Sequence, residues 1–391
     1  MPKLRSLLPL QYSLLWVSCL SAAVLLVGFA HDKPDKDRLQ QRIEFNRKQH
    51  QIPGASIAVI DDGAIIWAKG FGLADINNNR PVTTKTLFQA QSITKTLTSL
   101  AVVKTLQRSG ISLDEPVNRY LKSWQIPGND FTERVPVTFR MLLNHTGAIS
   151  NPYPDGGYRL NQSLPTLLEV LEGRSPATNP PLEVTALPGA SMQYCNGCYS
   201  ILQAALEDIR DEDFTTLMQA LVLNPAGMTD STFKSAVVLN NPETFAVPYD
   251  PELQRWPGAP MRSPILSTGL MWTTAKDLAR FNLAVTSALQ ATNALINQPL
   301  AQQLTWPSSS ATRSLGFFIG NRNAVDKEDG SYLFHSGSGV GYLSQSIISK
   351  DGQHGAVVLI NISPEWDPKE FPQFDFINQT IKQIGDHYNW Q

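Results

Sequence analysis

"SITKTLTSLAVVKTLQRSG", residues 92–110, is the stretch on which the reading of this chain turns. Leu97, Leu100, Ala101, Val103 and Leu106 recur at helical spacing and Gly110 supplies a stop, so the pattern predicts a buried helix starting near Ser92. On the first turn of that helix Ser92 and Lys95 stand three residues apart and share a face. A lysine amine placed there reaches the serine hydroxyl, and the helix N-terminus favours negative charge developing on the oxygen. A serine hydroxyl is a weak nucleophile until a base takes its proton. Lysine can be that base only where burial or neighbouring cations bring its pKa down from about 10.4.

The same Ser-x-x-Lys spacing occurs a second time, at Ser231 to Lys234 in "DSTFK". It follows "NPAGMTD" and runs into "AVVLNNPE", with no long apolar helix behind it, so it reads as a solvated turn with no chemistry. The pattern alone therefore does not choose, and the surroundings must.

Upstream of Ser92, a charged lead-in, "DKDRLQQRIEFNRKQH", predicts a helix, and "GASIAVIDDGAIIWAKGFGLAD" places apolar runs on both sides of Asp62-Gly63, a hairpin signature. Downstream, from about residue 111 to 309, helical segments alternate with loops rich in Pro, Asn and Gly. Strand signals return in "SLGFFIGN", "SYLFHSGSG", "YLSQSIIS" and "HGAVVLINIS", the last two joined across Lys350-Asp351-Gly352, and "FDFINQTIKQIGDHY" closes the chain as an amphipathic helix. Strands at both ends and helices between them predict an α/β fold, more strictly α+β. One antiparallel sheet, built from about 31–110 and 310–391, faces an inserted, mostly helical lobe over 111–309, with a cleft between them.

The 391 residues are 42 % hydrophobic and 17 % charged, which fits a globular chain with a large core. Lys plus Arg number 32 against 34 Asp plus Glu, and no basic stripe with interleaved aromatics is present, so nucleic acid is not an expected partner. Lys3 and Arg5 precede the apolar run "SLLPLQYSLLWVSCLSAAVLLVGFA", which ends at Ala30. Residues 1–30 read as a signal peptide cleaved after Ala30 or as an uncleaved N-terminal anchor. Either reading puts residues 31–391 outside the cytoplasm, periplasmic or tethered to the membrane through that segment.

Two further motifs carry chemistry. In "PGASMQYCNGCYSILQAALED", Tyr194 supplies a phenol that a nearby lysine ammonium can ionise below its free pKa of about 10, and Asn196 supplies an amide for a substrate carbonyl. In "YLFHSGSGVGY", His335-Ser336-Gly337 sits on a strand whose edge can pair with a substrate backbone, with His335 as a cation or proton donor and Gly337 leaving room for the substrate. A lookalike, His145-Thr146-Gly147 in "LLNHTGAIS", falls at a helix end and loop and is expected to be structural.

Ser92-Ile93-Thr94-Lys95, Tyr194-Cys195-Asn196 and His335-Ser336-Gly337, in this order, resemble the three active-site motifs of the serine penicillin-recognising enzymes: class C β-lactamases, D-alanyl-D-alanine carboxypeptidases and β-lactamase-like esterases. "WAKGFGLAD", "GISLDEPVNRYL", "MLLNHTGAI", "PAGMTDSTF" and "STGLMWTTAKDLARF" resemble landmarks of the same group, and the likeness covers about residues 39 to 385. It implies a β-lactamase/transpeptidase-like fold with Ser92 as the acylated nucleophile. It implies that Lys95 orients and deprotonates Ser92, sharing the work with Tyr194, and that Asn196 binds the substrate amide. The backbone N–H groups of Ser92 and Ser338 would form the oxyanion hole. Ser336 and Gly337 would bind substrate. Histidine at 335, where many β-lactamases carry lysine, looks more like certain D-peptidases and D-amino-acid-specific hydrolases.

Cys195 and Cys198 straddle Asn196. A local disulfide, two buried free thiols and a zinc site are the three readings, and no histidine close in sequence completes a tetrahedral set for the last. No metal and no cofactor is required by the mechanism. The expected function is an exported serine hydrolase acting through an acyl-enzyme on an amide, ester or lactam carbonyl of a small-molecule or peptide substrate. The alternative is a penicillin- or peptide-binding protein of the same fold with little turnover. A Ser-His-Asp hydrolase using His335 is a third reading, which the lack of a Gly-x-Ser-x-Gly elbow disfavours. The aromatic and proline-rich loops "NPYPDGGYRLNQSLP" and "PYDPELQRWPGAPMRSP" are expected to wall the cleft.

Overall fold

The structure is a computed structural model that describes residues 35–151, 157–291, 295–308, 312–324, 330–363 and 372–391. The expected signal or anchor segment, residues 1–30, lies outside the described residues. Among the described residues no helix is long and apolar enough to cross a membrane.

The charged lead-in forms a helix, Lys36–Gln49. The strands in chain order are β1 (Gly54–Asp61), β2 (Ala64–Asp75), β3 (Arg80–Pro81), β4 (Phe88–Gln89), β5 (Trp272–Thr273), β6 (Phe318–Gly320), β7 (Tyr332–Gly339), β8 (Tyr342–Ser349) and β9 (Gly355–Ile360). Seven of them make one antiparallel sheet in the order β3-β2-β1-β9-β8-β7-β6, and β4 pairs with β5 apart from it. Both ends of the chain meet at its centre, where β1 pairs with β9 from Ala55↔Ile360 to Ile60↔Gly355. The β1–β2 hairpin turns on Asp62 and Gly63 at φ +49° and +70°, the two left-handed residues that a type I′ turn needs.

Central strands are buried on both faces, and the period of two separates two cores. Ala55, Ile57 and Val59 of β1 join Ala356, Val358 and Ile360 of β9 in a core closed by helix 36–49 (Leu39, Ile43) and the C-terminal helix Pro372–His387 (Phe376, Ile377, Ile381). The alternate residues Ala58, Ile60, Val357 and Leu359 face the larger core, which contains the buried helix Thr94–Arg108 and the helix Asn196–Arg210.

Three local expectations are corrected here. "SLGFFIGN" yields only the three-residue β6. The helix Ala275–Gln290, from the stretch assigned to the helical lobe, packs on the sheet itself, with Asn282 Nδ2 donating to Ser346 Oγ of β8 at 2.8 Å. Ser231 does not lie in a solvated turn: it is buried, its Oγ donating to Asp277 Oδ2 at 2.8 Å and lying 2.7 Å from Thr273 Oγ1.

Candidate active site

Ser92 stands on a single 3-10 turn, Gln91–Ile93, that leads into helix 94–108. Gln91 before it adopts φ +50°, a left-handed backbone uncommon for a residue with a side chain, and this turns the chain sharply at the serine. The turn is held from two sides. Gln91 Nε2 donates to Gln89 Oε1 at 3.2 Å, and Gln89 Nε2 to the Met261 carbonyl at 3.1 Å. On the other side β7 lies against it. A Cβ at Gly337 would sit 2.6 Å from the Ala90 carbonyl oxygen and 2.8 Å from Gln91 Cβ. Gly337 therefore lets the strand approach the serine turn, a close contact that its sequence context did not suggest.

Lys95 is fully buried, its Nζ 3.2 Å from Ser92 Oγ and donating to the Thr268 carbonyl at 2.9 Å. Neither partner carries a charge, and burial pulls its pKa down to about 7. Thr268 is itself fixed: the Thr98 hydroxyl donates to the Ser267 carbonyl at 2.9 Å, and Gln203 Oε1 accepts the Leu266 and Ser267 N–H groups at 2.8 and 3.1 Å. The landmark "STGLMWTTAKDLARF" begins with Ser267 and Thr268, but nothing in it marks Thr268 as the lysine's carbonyl partner.

Tyr194 precedes helix 196–210. Its ring exposes 41 % of the residue to the cleft, while its hydroxyl end packs in toward Ser92 and Lys95, whose Nζ lies 4.9 Å from the ring centroid. Burial of that hydroxyl raises the phenol well above its usual value, and a hydrogen bond with the Ser92 side chain offsets part of the rise. The phenol is thus protonated in the resting site, contrary to the ionised form expected beside an ammonium, because burial outweighs the help of its hydrogen bond with Ser92.

His335 is also corrected. It is buried in β7, stacked on Phe318 with ring centroids 4.6 Å apart, and burial followed by the Lys95 charge lowers its pKa to about 3. Its Nδ1 lies 2.6 Å from the Ser336 carbonyl oxygen, which can only accept. Nδ1 therefore carries the hydrogen, and Nε2, buried and without a partner among the described residues, keeps a lone pair. His335 is a neutral acceptor, neither cation nor proton donor.

Ser92, Tyr194, Asn196, His335, Ser336, Gly337 and Ser338 all line one cleft of about 450 Å3, with Lys95 beneath it, so the structure brings the three motifs together. Asn151, Phe318 and Phe374 complete its walls. β6 pairs with β7 only at Tyr332 to Phe334, so among the described residues the outer edge of β7 has no partner strand from His335 to Gly339. Of the two loops expected to wall the cleft, the first contributes Asn151, whose Oδ1 accepts the Asn196 N–H at 2.8 Å. Residues 152–156 of the first lie outside the described residues. Tyr158 and Arg262 bind the two loops to each other through paired backbone hydrogen bonds of 2.7 and 2.8 Å.

Cys195 and Cys198 form a disulfide across the first turn of helix 196–210, with Cys195 at its N-cap. Of the three readings of this pair, the local bridge is the one present, and among the described residues no group of metal-ligating side chains occurs. The bridge closes a short loop around Asn196, so Cys198→Ser is expected to cost about 2 kcal/mol on the loop-entropy account and to lower turnover by loosening Tyr194 and Asn196. Thermal melting of the variant, and of the wild type with a dithiol reductant, checks this. Unchanged melting and unchanged activity would leave the bridge without a role.

The fold agrees with comparison to known proteins. Protein flp of Staphylococcus aureus (strain N315) is 23 % identical, over 90 % of this chain and 70 % of its own. Esterase EstB of Burkholderia gladioli is 31 % identical over 219 residues, 54 % of each chain. The structure of an octameric penicillin-binding protein homologue from Pyrococcus abyssi superposes with a TM-score of 0.70 at 24 % identity, covering 90 % of this chain and 78 % of that one. A family model described as Beta-lactamase matches residues 37–374, nearly the whole of the described fold, and the chain therefore belongs to the beta-lactamase family of serine hydrolases and penicillin-binding proteins.

Proposed function

We propose that this protein is an exported serine hydrolase that forms an acyl-enzyme at Ser92. The observation that carries the reading is the Ser92–Lys95 pair: a half-buried hydroxyl 3.2 Å from an amine whose pKa lies at about 7. Lys95 takes the proton of Ser92 Oγ as the oxygen attacks the substrate carbonyl. The N–H groups of Ser92 and Ser338 receive the negative charge that develops on the carbonyl oxygen. Tyr194, protonated and hydrogen-bonded to Ser92, gives its proton to the departing alcohol or amine and regains one from Lys95. Asn196 holds the substrate carbonyl, and His335, neutral and buried in β7, backs the cleft wall. Water then attacks the ester of Ser92, with the same groups working in reverse.

Esters and amides with uncharged, apolar acyl groups suit the site best. The described cleft walls combine Phe318, Phe374 and Tyr194 with neutral polar groups, and the esterase named above is 31 % identical over 54 % of this chain. Export rests on the N-terminal sequence, Lys3 to Ala30. The reading is tested by incubating the protein with a fluorophosphonate and locating the adduct by peptide mass, beside turnover of a p-nitrophenyl acyl ester. An adduct on Ser92 with sustained turnover is expected. An adduct without turnover would make this a binding protein that acylates once, and no adduct on folded protein would remove Ser92 from the chemistry.

A further inference from the structure

His145, expected from its sequence context to be merely structural, touches the site at three points. Its carbonyl accepts the Gln193 N–H at 2.9 Å, and its ring Nδ1 accepts the Cys195 N–H at 3.1 Å. These two bonds grip the backbone immediately before and immediately after Tyr194. Its ring also lies behind the phenol, with centroids 4.6 Å apart and planes inclined by 32°, and is backed in turn by Tyr199 at 5.3 Å. The residue is buried and adopts φ +63°, a backbone that a non-glycine residue accepts only where its surroundings impose it. Burial, with the Lys95 charge as the next cause, holds its pKa well below the usual histidine value, so Nδ1 keeps the lone pair that the Cys195 N–H needs.

We propose that His145 is the positioning residue for Tyr194, fixing the chain on both sides of the tyrosine and backing its ring so that the phenol hydroxyl stays at Ser92. This rests on the acyl-enzyme reading, in which Tyr194 passes a proton to and from the leaving group. A misplacement of that hydroxyl by about 1 Å is enough to cost on the order of 10²-fold in rate. The bridge and the His145 bond both act at Cys195, and the His145 ring packs against the phenol ring as well.

The test is a double-mutant cycle between His145→Ala and Tyr194→Phe, read as kcat and KM for a p-nitrophenyl ester and as the rate of fluorophosphonate labelling of Ser92. His145→Ala is expected to lower kcat and the labelling rate by about 10²-fold with KM little changed. In the Tyr194→Phe background, where no phenol hydroxyl remains to be positioned, the same substitution is expected to change kcat less than threefold, the non-additivity that marks residues acting through one another. His145→Asn, whose amide oxygen can accept the Cys195 N–H and whose backbone tolerates a left-handed φ, is expected to recover most of the rate. His145→Phe keeps a ring and loses the acceptor, so it is expected to remain slow, and this pair decides the matter if the alanine variant does not fold. Equal losses in both backgrounds, or unchanged kcat in folded His145→Ala, would overturn the role of His145. No labelling of wild-type Ser92 would instead overturn the reading of the site, and the proposal with it.

Discussion

Ser92→Ala is expected to abolish acyl-enzyme formation and to lower ester turnover by about 10^4-fold or more, whereas Ser231→Ala leaves turnover intact and lowers stability. The two serines share a spacing and differ in what surrounds them. Ser92 lines the cleft, half-buried, 3.2 Å from an amine. Ser231 is closed off, and its hydroxyl serves Asp277, a carboxylate whose side chain is fully buried and whose pKa burial raises. That carboxylate also accepts the Asp230 N–H at 2.8 Å and pairs with Arg280 at 2.7 Å. Removing one of its partners leaves buried negative charge less well satisfied, at a cost of about 1–3 kcal/mol. Thermal melting and ester kinetics on the two variants separate the roles. Loss of turnover in a folded Ser231→Ala would reverse the assignment.

What could be read from the sequence was whatever depends on residues near one another along the chain. The Asp62-Gly63 turn, helix 94–108 and the Ser92–Lys95 pair are all of this kind, since three residues on one helical turn fix the approach of hydroxyl and amine. The convergence of Tyr194 and His335 on Ser92 was legible only through resemblance, because it depends on β7 lying against the serine turn, which Gly337 permits. Protonation states were misread for the same reason. Neutral His335 and the raised phenol of Tyr194 follow from burial by residues remote in sequence. His145 passed as a loop residue since its contact with Tyr194 requires helix 196–210 to start against Ser150. Gly197 allows this, for a Cβ there would meet the Ser150 carbonyl oxygen at 2.1 Å. The two-residue β4 and β5 carry no periodicity to detect.

The pH dependence of acylation is the second large effect. Lys95 acts as a base only when unprotonated, and burial sets its pKa at about 7. With a neutral ester substrate, kcat/KM is therefore expected to rise about tenfold per pH unit below that value and to level off above it. Among the described residues the histidines and the phenol of the site stay clear of the limb: burial lowers His335 to about 3 and holds His145 well below its usual value, and it raises Tyr194 well above its own. Lys95→Ala is expected to lower kcat/KM by about 10²–10⁴-fold, the usual yield of general base catalysis, and to remove the limb. Lys95→Arg discriminates further, because a guanidinium stays protonated at every accessible pH and keeps the charge while losing the base. If the amine served only as a fixed cation, Lys95→Arg would retain activity and the wild-type rate would fall with rising pH through 7. If it is the base, the arginine variant is inactive across the range and the wild-type rate rises. The sign of the slope between pH 6 and 8 thus decides how the lysine beneath Ser92 works.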